Sequence, residues 1–404
     1  MSTNPIFGPK ARFFDANGDP LSGGLLYTYA AGTTTPLASY TTRAGNVANA
    51  NPVVLDANGE ADIWASPGVD YKFVLKTSAG VTLWTVDNWP SPAEASAATE
   101  DAGIEPGGRL SLTSGTSVTT GDVTGATTVY YVPHKSDKVP LYDGAAWALY
   151  SIGTQLSQTT SDTTKSPAAV ANNSNYDLFV WNDSGTVRLS RGPAWSSDTA
   201  RGTGAGTTEL EKVNGRYVNK VSISNGPGAQ RGLYVGTVRS DGSAQINDSL
   251  AKRHVWNAHN RVSRPMRVTE STNSWNYATA TFRQANGSAA NQLDVVRGLD
   301  EDAVTAHIQV GAIGSQVGSA FRTAIGLDST TSPATGCLYT YINSDTTTSG
   351  YKSIPSQWIG LPGIGRHYLA WLEKGPGGGT AAFVGDTSAD AAAEQAGIHG
   401  TMLA

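Results

Sequence analysis

Two groups of residues in this sequence could support catalysis or metal binding: a pair of histidines and a run of three acidic residues. His254 and His259 are five positions apart, in an arginine-rich stretch. If that stretch is a strand, the two rings point to opposite faces and cannot share a metal ion. Asp300, Glu301 and Asp302 are consecutive, whereas a glycosidase needs two carboxyl groups across a groove, about 5–9.5 Å apart. We therefore predict hydrogen-bonded structural histidines and a solvated acidic loop.

The single cysteine and the glycine-rich stretches lack the surroundings that their chemistry would require. Cys337 follows a glycine in an apolar stretch and has no evident histidine partner, which indicates a buried structural residue and not a nucleophile. Residues 202–206 and 375–379 lack the lysine and the strand–loop–helix setting of a phosphate-binding loop, so we interpret them as joints. The sequence predicts no enzymatic activity, no cofactor and no metal site.

Aromatic residues are the remaining group that could bind a ligand, because their rings stack on sugars and anchor protein interfaces. The C-terminal half contains several of them: Trp256, Trp275, Tyr277, Tyr339, Tyr341, Tyr351 and Trp358. Most are expected to fill a hydrophobic core. We predict that Tyr351 and Trp358 are instead contact residues, because residues 346–355 are polar and typical of an exposed loop.

Composition excludes several classes of protein and favours sheet over helix. Only 15% of the 404 residues are charged, against roughly 25% in ordinary soluble domains, and glycine and aromatic residues are abundant. A net charge of −5 without a basic stripe argues against nucleic-acid binding. No apolar stretch is long enough for a membrane-spanning helix, and the first residues do not resemble a signal peptide. The single cysteine predicts folding in a reducing cytosol.

Turn signals divide the chain into short strands. Asn-Gly and Asp-Gly pairs recur and supply the positive φ angles that tight turns need. Residues 71–76 and 81–86 predict one hairpin with a four-residue turn. We predict an all-β fold in five parts: a small N-terminal β-sandwich at 1–90, a linker at 91–108, a duplicated β-hairpin module at 109–208, a C-terminal jelly-roll-like β-sandwich at 209–385, and a short helical tail at 386–404.

The duplicated module depends on a repeated pattern, V-x-L-x-x-G-x-A-W, at residues 139–147 and 187–195. Each copy follows a β-rich stretch, so each is predicted to form a hairpin that ends on a packed tryptophan, Trp147 or Trp195. Eight further strand-like stretches predict the C-terminal sandwich: 217–223, 233–238, 277–283, 293–297, 304–310, 320–327, 338–342 and 366–372.

Residues 13–89 contain three motifs in order: G-x-L-Y-x-Y at 24–29, N-P-V-x-L-D-x-x-G at 51–59, and V-D-N at 86–88. In this arrangement they resemble the N-terminal anchoring domain of bacteriophage tail fibres and tailspikes, especially those of short-tailed phages. The resemblance implies a small β-sandwich that attaches an appendage to the particle. It also implies a docking segment that includes Asp15, Asn17, Gly18, Tyr27, Tyr29, Asn51, Pro52, Asp56, Gly59, Asp87 and Asn88.

Later stretches, at 218–220, 234–237, 252–261 and 275–277, are similar to the C-terminal domains of other phage fibre proteins. We therefore expect a virion protein made in the bacterial cytoplasm: a homotrimeric tail fibre or fibre-like adaptor. It would dock on other virion proteins of the tail or head and contact a host glycan or protein through Tyr351 and Trp358. A capsid-bound head fibre or decoration protein is one alternative, and a polysaccharide-degrading tailspike is another. Nucleic-acid binding and membrane insertion are not expected.

Overall fold

The chain is built almost entirely from β-strands. A computed structural model describes residues 4–5, 10–66, 68–90, 104–344, 350–386 and 395–404. Within these residues there are 37 strands and one turn of 3-10 helix, Ala285–Gly287, so the predicted all-β fold is confirmed. None of the described segments forms a helix with the length and apolar character needed to cross a membrane. The chain divides into two compact units, unit 1 at 1–99 and unit 2 at 100–404.

Unit 1 contains nine short strands. They are β1 Asn4–Pro5, β2 Ala11–Arg12, β3 Leu25–Ala30, β4 Ser39–Tyr40, β5 Val53–Val54, β6 Glu60–Ala61, β7 Trp64–Ala65, β8 Tyr71–Lys76 and β9 Thr82–Trp89. They form a four-stranded sheet in the order β5-β3-β8-β9, a three-stranded sheet β1-β7-β4, and the pair β2-β6.

The core of unit 1 follows from strict alternation along β8. Tyr71, Phe73 and Leu75 are fully buried, whereas the residues between them are only half-buried. This is the period of two that places alternate side chains on one face of a sheet. β8 pairs with β9 in an antiparallel arrangement, and Gly80, at a φ of +82°, lies in the turn between them. The predicted hairpin is therefore confirmed.

Unit 2 contains the remaining strands. They are β10 Gly108–Ser111, β11 Val123–Ala126, β12 Thr128–Pro133, β13 Lys138–Tyr142, β14 Trp147–Ser151, β15 Leu156–Thr159, β16 Asn175–Asp183, β17 Thr186–Ala194, β18 Leu210–Val213, β19 Arg216–Asn219, β20 Leu233–Arg239, β21 Ile246–Asp248, β22 Lys252–Arg253, β23 Val255–Asn257, β24 Ser263–Thr269, β25 Ser274–Tyr277, β26 Phe282–Gln284, β27 Gln292–Arg297, β28 Val304–Gln309, β29 Gly311–Gly314, β30 Ala320–Leu327, β31 Leu338–Tyr339, β32 Tyr341–Asn343, β33 Lys352–Ser353, β34 Ser356–Gly360, β35 Gly365–Lys374, β36 Ala381–Val384 and β37 Gly397–Leu403.

Four larger sheets organise these strands. One has the order β17-β16-β20-β19-β18 with β23 beside β20, and an eight-stranded sheet has the order β11-β21-β22-β27-β35-β30-β32 with β26 beside β35. A five-stranded sheet, β24-β37-β28-β34-β31, and a four-stranded sheet, β25-β36-β29-β33, contribute to one large hydrophobic cluster together with the eight-stranded sheet. The predicted strand at 277–283 is interrupted between β25 and β26. The specific sandwich layout of the C-terminal part stays a prediction.

The predicted boundary near residue 208 is wrong, because one sheet crosses it. β16, from the predicted hairpin module, pairs with β20 of the predicted C-terminal sandwich. A single cluster also joins the two parts, with members such as Leu110, Val180 and Val235. The glycines at 202–206 form a closed turn and not a joint: Thr207 Oγ1 donates to the Gly204 carbonyl at 2.7 Å.

Two other predicted joints are packed parts of unit 2. The predicted linker at 91–108 lies outside the described residues up to position 103, but residues 106–108 are buried, and the Gly107 N–H donates to the Lys138 carbonyl at 2.8 Å. The glycines at 375–379 connect β35 to β36 and pack on the connection between β25 and β26. There the Gly377 N–H donates to the Ala278 carbonyl at 2.8 Å.

The predicted duplication is also wrong, because the two copies of the motif have different conformations. The first copy spans β13, a turn and the start of β14, with Gly144 in the turn at a φ of +103°. The second lies on one continuous strand, β17, with Trp195 directly after its end. Gly192 allows Thr208 to pack closely there, because an added Cβ would lie 2.4 Å from Thr208 Cγ2. The glycine at the same position of the motif thus permits a turn in one copy and close packing in the other. Trp147 and Trp195 are nevertheless both buried.

The predicted helical tail is wrong over its last part. Residues 387–394 lie outside the described residues, but Gly397–Leu403 is strand β37, between β24 and β28. Burial alternates along this strand, with Ile398 and Met402 facing the core. Gly400 is required there because a Cβ would lie 1.9 Å from the Thr305 carbonyl oxygen. The alanine-rich stretch that indicated a helix lies mostly at 387–394, outside the described residues.

Candidate functional site

The outer face of the five-stranded sheet carries an open groove of about 650 Å³. Alternation along β28 and β37 directs His307, Gln309 and His399 outward, while Ile308 and Ile398 are fully or almost fully buried beneath them. Tyr339 lies along another part of the groove. We call this feature the sheet groove. Imidazole, amide and aromatic groups of this kind can hydrogen-bond and stack on a neutral ligand.

Tyr351, one of the two predicted contact residues, lies beside the sheet groove. It is 58% exposed and lines a second depression of about 330 Å³, which shares Gln309 with the groove. Tyr339 and Tyr341 are also exposed, at 41% and 57%. Tyr339 and Tyr351 line the two depressions, whereas Tyr341 lies on β32 of the eight-stranded sheet. Sequence patterns alone did not separate Tyr339 and Tyr341 from the core aromatics, because their strands are short.

Trp358, the other predicted contact residue, is a core residue, and that prediction is wrong. It is 6% exposed, and its Nε1–H donates to the Thr335 carbonyl at 3.1 Å. The reason is its position on β34, where Ser356 and Trp358 face inward and Gln357 and Ile359 face outward. A shift of one position along a strand reverses the face.

Several residues of the predicted docking segment determine local backbone structure. Asp15 Oδ1 accepts the N–H groups of Asn17 and Asp19, at 2.8 and 3.0 Å, around a turn in which Gly18 has a φ of +89°. Asp56 and Gly59 form an equivalent turn, because Asp56 Oδ1 accepts from the N–H groups two and four positions further on, at 2.8 and 2.9 Å. These backbone hydrogen bonds are the main reason why the pKa of Asp56 lies below its usual value.

Asn51, Pro52, Asp87 and Asn88 also have structural roles. Asn51 Oδ1 accepts the N–H of Thr28 on β3 at 3.1 Å, and Asn51 Nδ2 donates to the Thr28 carbonyl at 2.6 Å. The peptide bond from Asn51 to Pro52 is cis. Asp87 accepts the N–H groups of Gly32 and Asn88, both at 2.8 Å, and Asn88 has a φ of +54°. These contacts fix the backbone conformation of unit 1.

Tyr27 and Tyr29 are the exception, because their side chains lie on the outer face of the four-stranded sheet. Their rings stack with centroids 6.1 Å apart and planes 7° from parallel. Lys76 Nζ lies 4.9 Å from the centre of the Tyr27 ring, and Lys72 faces Tyr29 on the neighbouring strand. We call these four residues the tyrosine face.

The predicted structural histidines are hydrogen-bonded. His254 is buried, with Nε2 3.1 Å from Asp294 Oδ1, and Arg366 Nη2 donates to the other oxygen of Asp294 at 2.6 Å. Although burial raises the pKa of Asp294, these two hydrogen-bond partners hold it well below its usual value. His259 lies 3.2 Å from Glu105 Oε2 and 3.3 Å from the Tyr234 carbonyl oxygen.

The acidic triplet lies in an exposed loop, as predicted, and its carboxylates are also ion-paired. Arg297 donates to Asp300 at 2.8 Å, and Arg261 donates to both Glu301, at 2.7 Å, and Asp302. Each of the three carboxylates therefore forms an ion pair with an arginine. None of the three lines the sheet groove.

Cys337 is half-buried, and burial raises the pKa of its thiol. Its Sγ accepts the N–H of Ile325 at 3.3 Å. A thiol held in the protonated form is a weak nucleophile. In the ranges given above, no group of three or more histidine, cysteine, aspartate and glutamate side chains has the spacing to hold a metal ion.

Comparison with known proteins identifies no relative. No protein-family model and no curated protein matches the chain. Among solved structures, the functional form of the mosquito-larvicidal Cry4Aa toxin from Bacillus thuringiensis is similar at 8% identity over 69% of this chain and 49% of the toxin chain, with a TM-score of 0.19. The chain thus spans about half the length of that toxin, and a likeness at this TM-score supports no conclusion about fold or function.

Proposed function

We propose that this chain is a structural protein of a tailed-bacteriophage particle, a tail fibre or fibre-like adaptor. One observation carries the proposal: the motifs that resemble a phage anchoring domain, at 13–89, fall within a compact unit that has its own hydrophobic core. A segment with its own core can be added to one end of another protein as a docking module. We propose no catalytic step for this chain.

Docking on the particle is assigned to the tyrosine face. The side chains of Asn51, Asp56 and Asp87 bond the backbone of unit 1. Tyr27 and Tyr29 instead keep accessible ring surface beside two lysines. Tyrosine is enriched at the energetically dominant positions of protein interfaces, because it buries a large rigid ring at a low entropic cost. The proposed partner is another virion protein of the tail or head.

Host attachment is assigned to the sheet groove and the neighbouring Tyr351. Neither β28, β37, β34 nor β31 contains a lysine, arginine, aspartate or glutamate, so a neutral glycan or an uncharged protein surface fits best. We further propose a homotrimer, because a low overall content of charge is typical of chains with large subunit interfaces.

Labelling of intact particles tests this function directly. An antibody raised against unit 2 is expected to bind one fixed position on purified particles of the virus that encodes the chain, as seen by electron microscopy. Label along the tail supports the fibre or adaptor, and label over the capsid supports the head-fibre alternative. Particles that carry no label and yield no peptide of this chain by mass spectrometry contradict the proposal.

The groove assignment predicts the effect of two tyrosine substitutions. Tyr339→Ala combined with Tyr351→Ala should weaken binding of the purified protein to host cells by about thirty-fold or more, the effect of losing at least about 2 kcal/mol of aromatic contact. The matched control is Tyr339→Phe with Tyr351→Phe, which keeps both rings and should retain most of the binding. Unchanged binding in the alanine variant would exclude this surface from attachment.

A further inference from the structure

Two of the six histidines differ from the other four in their surroundings. His134 lies 3.0 Å from Ser117 Oγ, and His367 lies 2.7 Å from Asp328 Oδ2. His254 and His259 have the carboxylate partners described above. By contrast, no hydrogen bond joins the ring of His307 or His399 to any other described residue.

His307 and His399 face each other across two neighbouring strands. They are directly opposed in the antiparallel register of β28 and β37. Their ring centroids are 5.4 Å apart and their planes differ by 26°, which is the close approach expected of opposed side chains on one sheet face. Both rings line the sheet groove, and His399 is exposed. Two imidazoles with free nitrogens are thus held side by side at a solvent-accessible surface.

The chemistry of this pair favours a transition metal. A neutral imidazole nitrogen is a preferred ligand for Zn²⁺, Ni²⁺ and Cu²⁺. Ca²⁺ and Mg²⁺ prefer carboxylate and carbonyl oxygen, and none of the five strands of this sheet contains an aspartate or glutamate.

We propose that His307 and His399 form a two-histidine binding site for a divalent transition-metal ion of the Zn²⁺, Ni²⁺ and Cu²⁺ class in the sheet groove. Catalytic zinc sites commonly use three protein ligands and keep one position open. With two protein ligands, this site leaves more positions open to water or to a donor atom of a molecule in the groove. The site is independent of the proposed virion function and would stand if that function were disproved.

Calorimetric titration of the full chain tests the site. One equivalent of ion is expected to bind per chain, with Cu²⁺ tighter than Ni²⁺ or Zn²⁺, following the general order of affinities, and with no binding of Mg²⁺. Changes to residues that only support a metal ligand already cost about 10–100-fold in affinity, so His307→Ala and His399→Ala should each lose at least about tenfold.

The matched control is His134→Ala, which removes an exposed histidine outside the pair and should leave metal binding unchanged. As a second measurement, Cu²⁺ should raise the thermal midpoint of the wild-type chain, and this increase should vanish in His307→Gln and His399→Gln. Equal affinity in wild type and the His307 or His399 variants would overturn the proposal, as would binding at millimolar concentration only. Equal losses in the His134 variant would show general surface coordination and also overturn it.

Discussion

Asp177→Asn is expected to lower the free energy of unfolding of unit 2 by about 3–5 kcal/mol, the usual cost of breaking a buried ion pair from one side. Asp177 is completely buried on β16. It accepts from Arg201 Nε at 2.6 Å and from the hydroxyls of Thr208 and Thr237, at 2.6 and 2.7 Å. Without the carboxylate, the guanidinium of Arg201 stays buried and loses its counter-charge.

The effect is expected to be global because this network joins distant parts of the chain. Arg201 also donates to the Gly298 carbonyl at 2.7 Å and lies 4.3 Å from the centre of the Trp195 ring. Chemical denaturation, followed by tryptophan fluorescence, measures the change. A loss of stability confined to the turn at 202–206, with the rest of unit 2 unaffected, would contradict the predicted role of Asp177.

Asp183→Asn is the matched control, because Asp183 lies on the same strand but near its exposed end. It forms ion pairs with Lys165 and Arg188, both at 2.6 Å, and its side chain is 21% exposed. Surface ion pairs contribute about 0–1 kcal/mol. The two variants should therefore differ by at least about 2 kcal/mol, given these ranges. Equal losses would show that burial of Asp177 is not the cause.

Deletion of residues 1–99 is expected to abolish incorporation of the protein into particles while unit 2 stays folded. Every member of the two large hydrophobic clusters of unit 2 comes from residue 110 or later, so the deletion removes none of its core. The measurement is the amount of chain in purified particles, together with a thermal unfolding transition of the truncated protein. Normal incorporation of the folded, truncated chain would contradict the docking role of unit 1.

A smaller change separates docking from folding. Tyr27→Ala with Tyr29→Ala should reduce incorporation strongly, because each desolvated aromatic contact contributes about 2 kcal/mol or more at an interface. Tyr40→Ala is the matched control, since this half-buried tyrosine belongs to the three-stranded sheet of unit 1. If both variants incorporate equally well, the tyrosine face is not the docking surface.

The sequence by itself determined the features that depend on a few neighbouring residues. The two Asp-Ala-Asn-Gly turns, at 15–18 and 56–59, have matching hydrogen bonds because an aspartate side chain reaches N–H groups two and four positions ahead. The hairpin of β8 and β9 was predictable for the same reason: its two strands are adjacent in the chain, and its turn is short. The all-β class followed from a composition rich in turn and strand residues.

Only the tertiary structure decided which distant strands pair and which face of each strand is outward. The repeat at 139–147 and 187–195 has one pattern and two conformations, because the surroundings of Gly144 and Gly192 differ. Trp358 is buried and Ile359 exposed because the register of β34 was set by its neighbours. His307 and His399 come together only through the pairing of β28 with β37. Such pairings depend on the whole topology, since one strand can satisfy its backbone hydrogen bonds with many different partners.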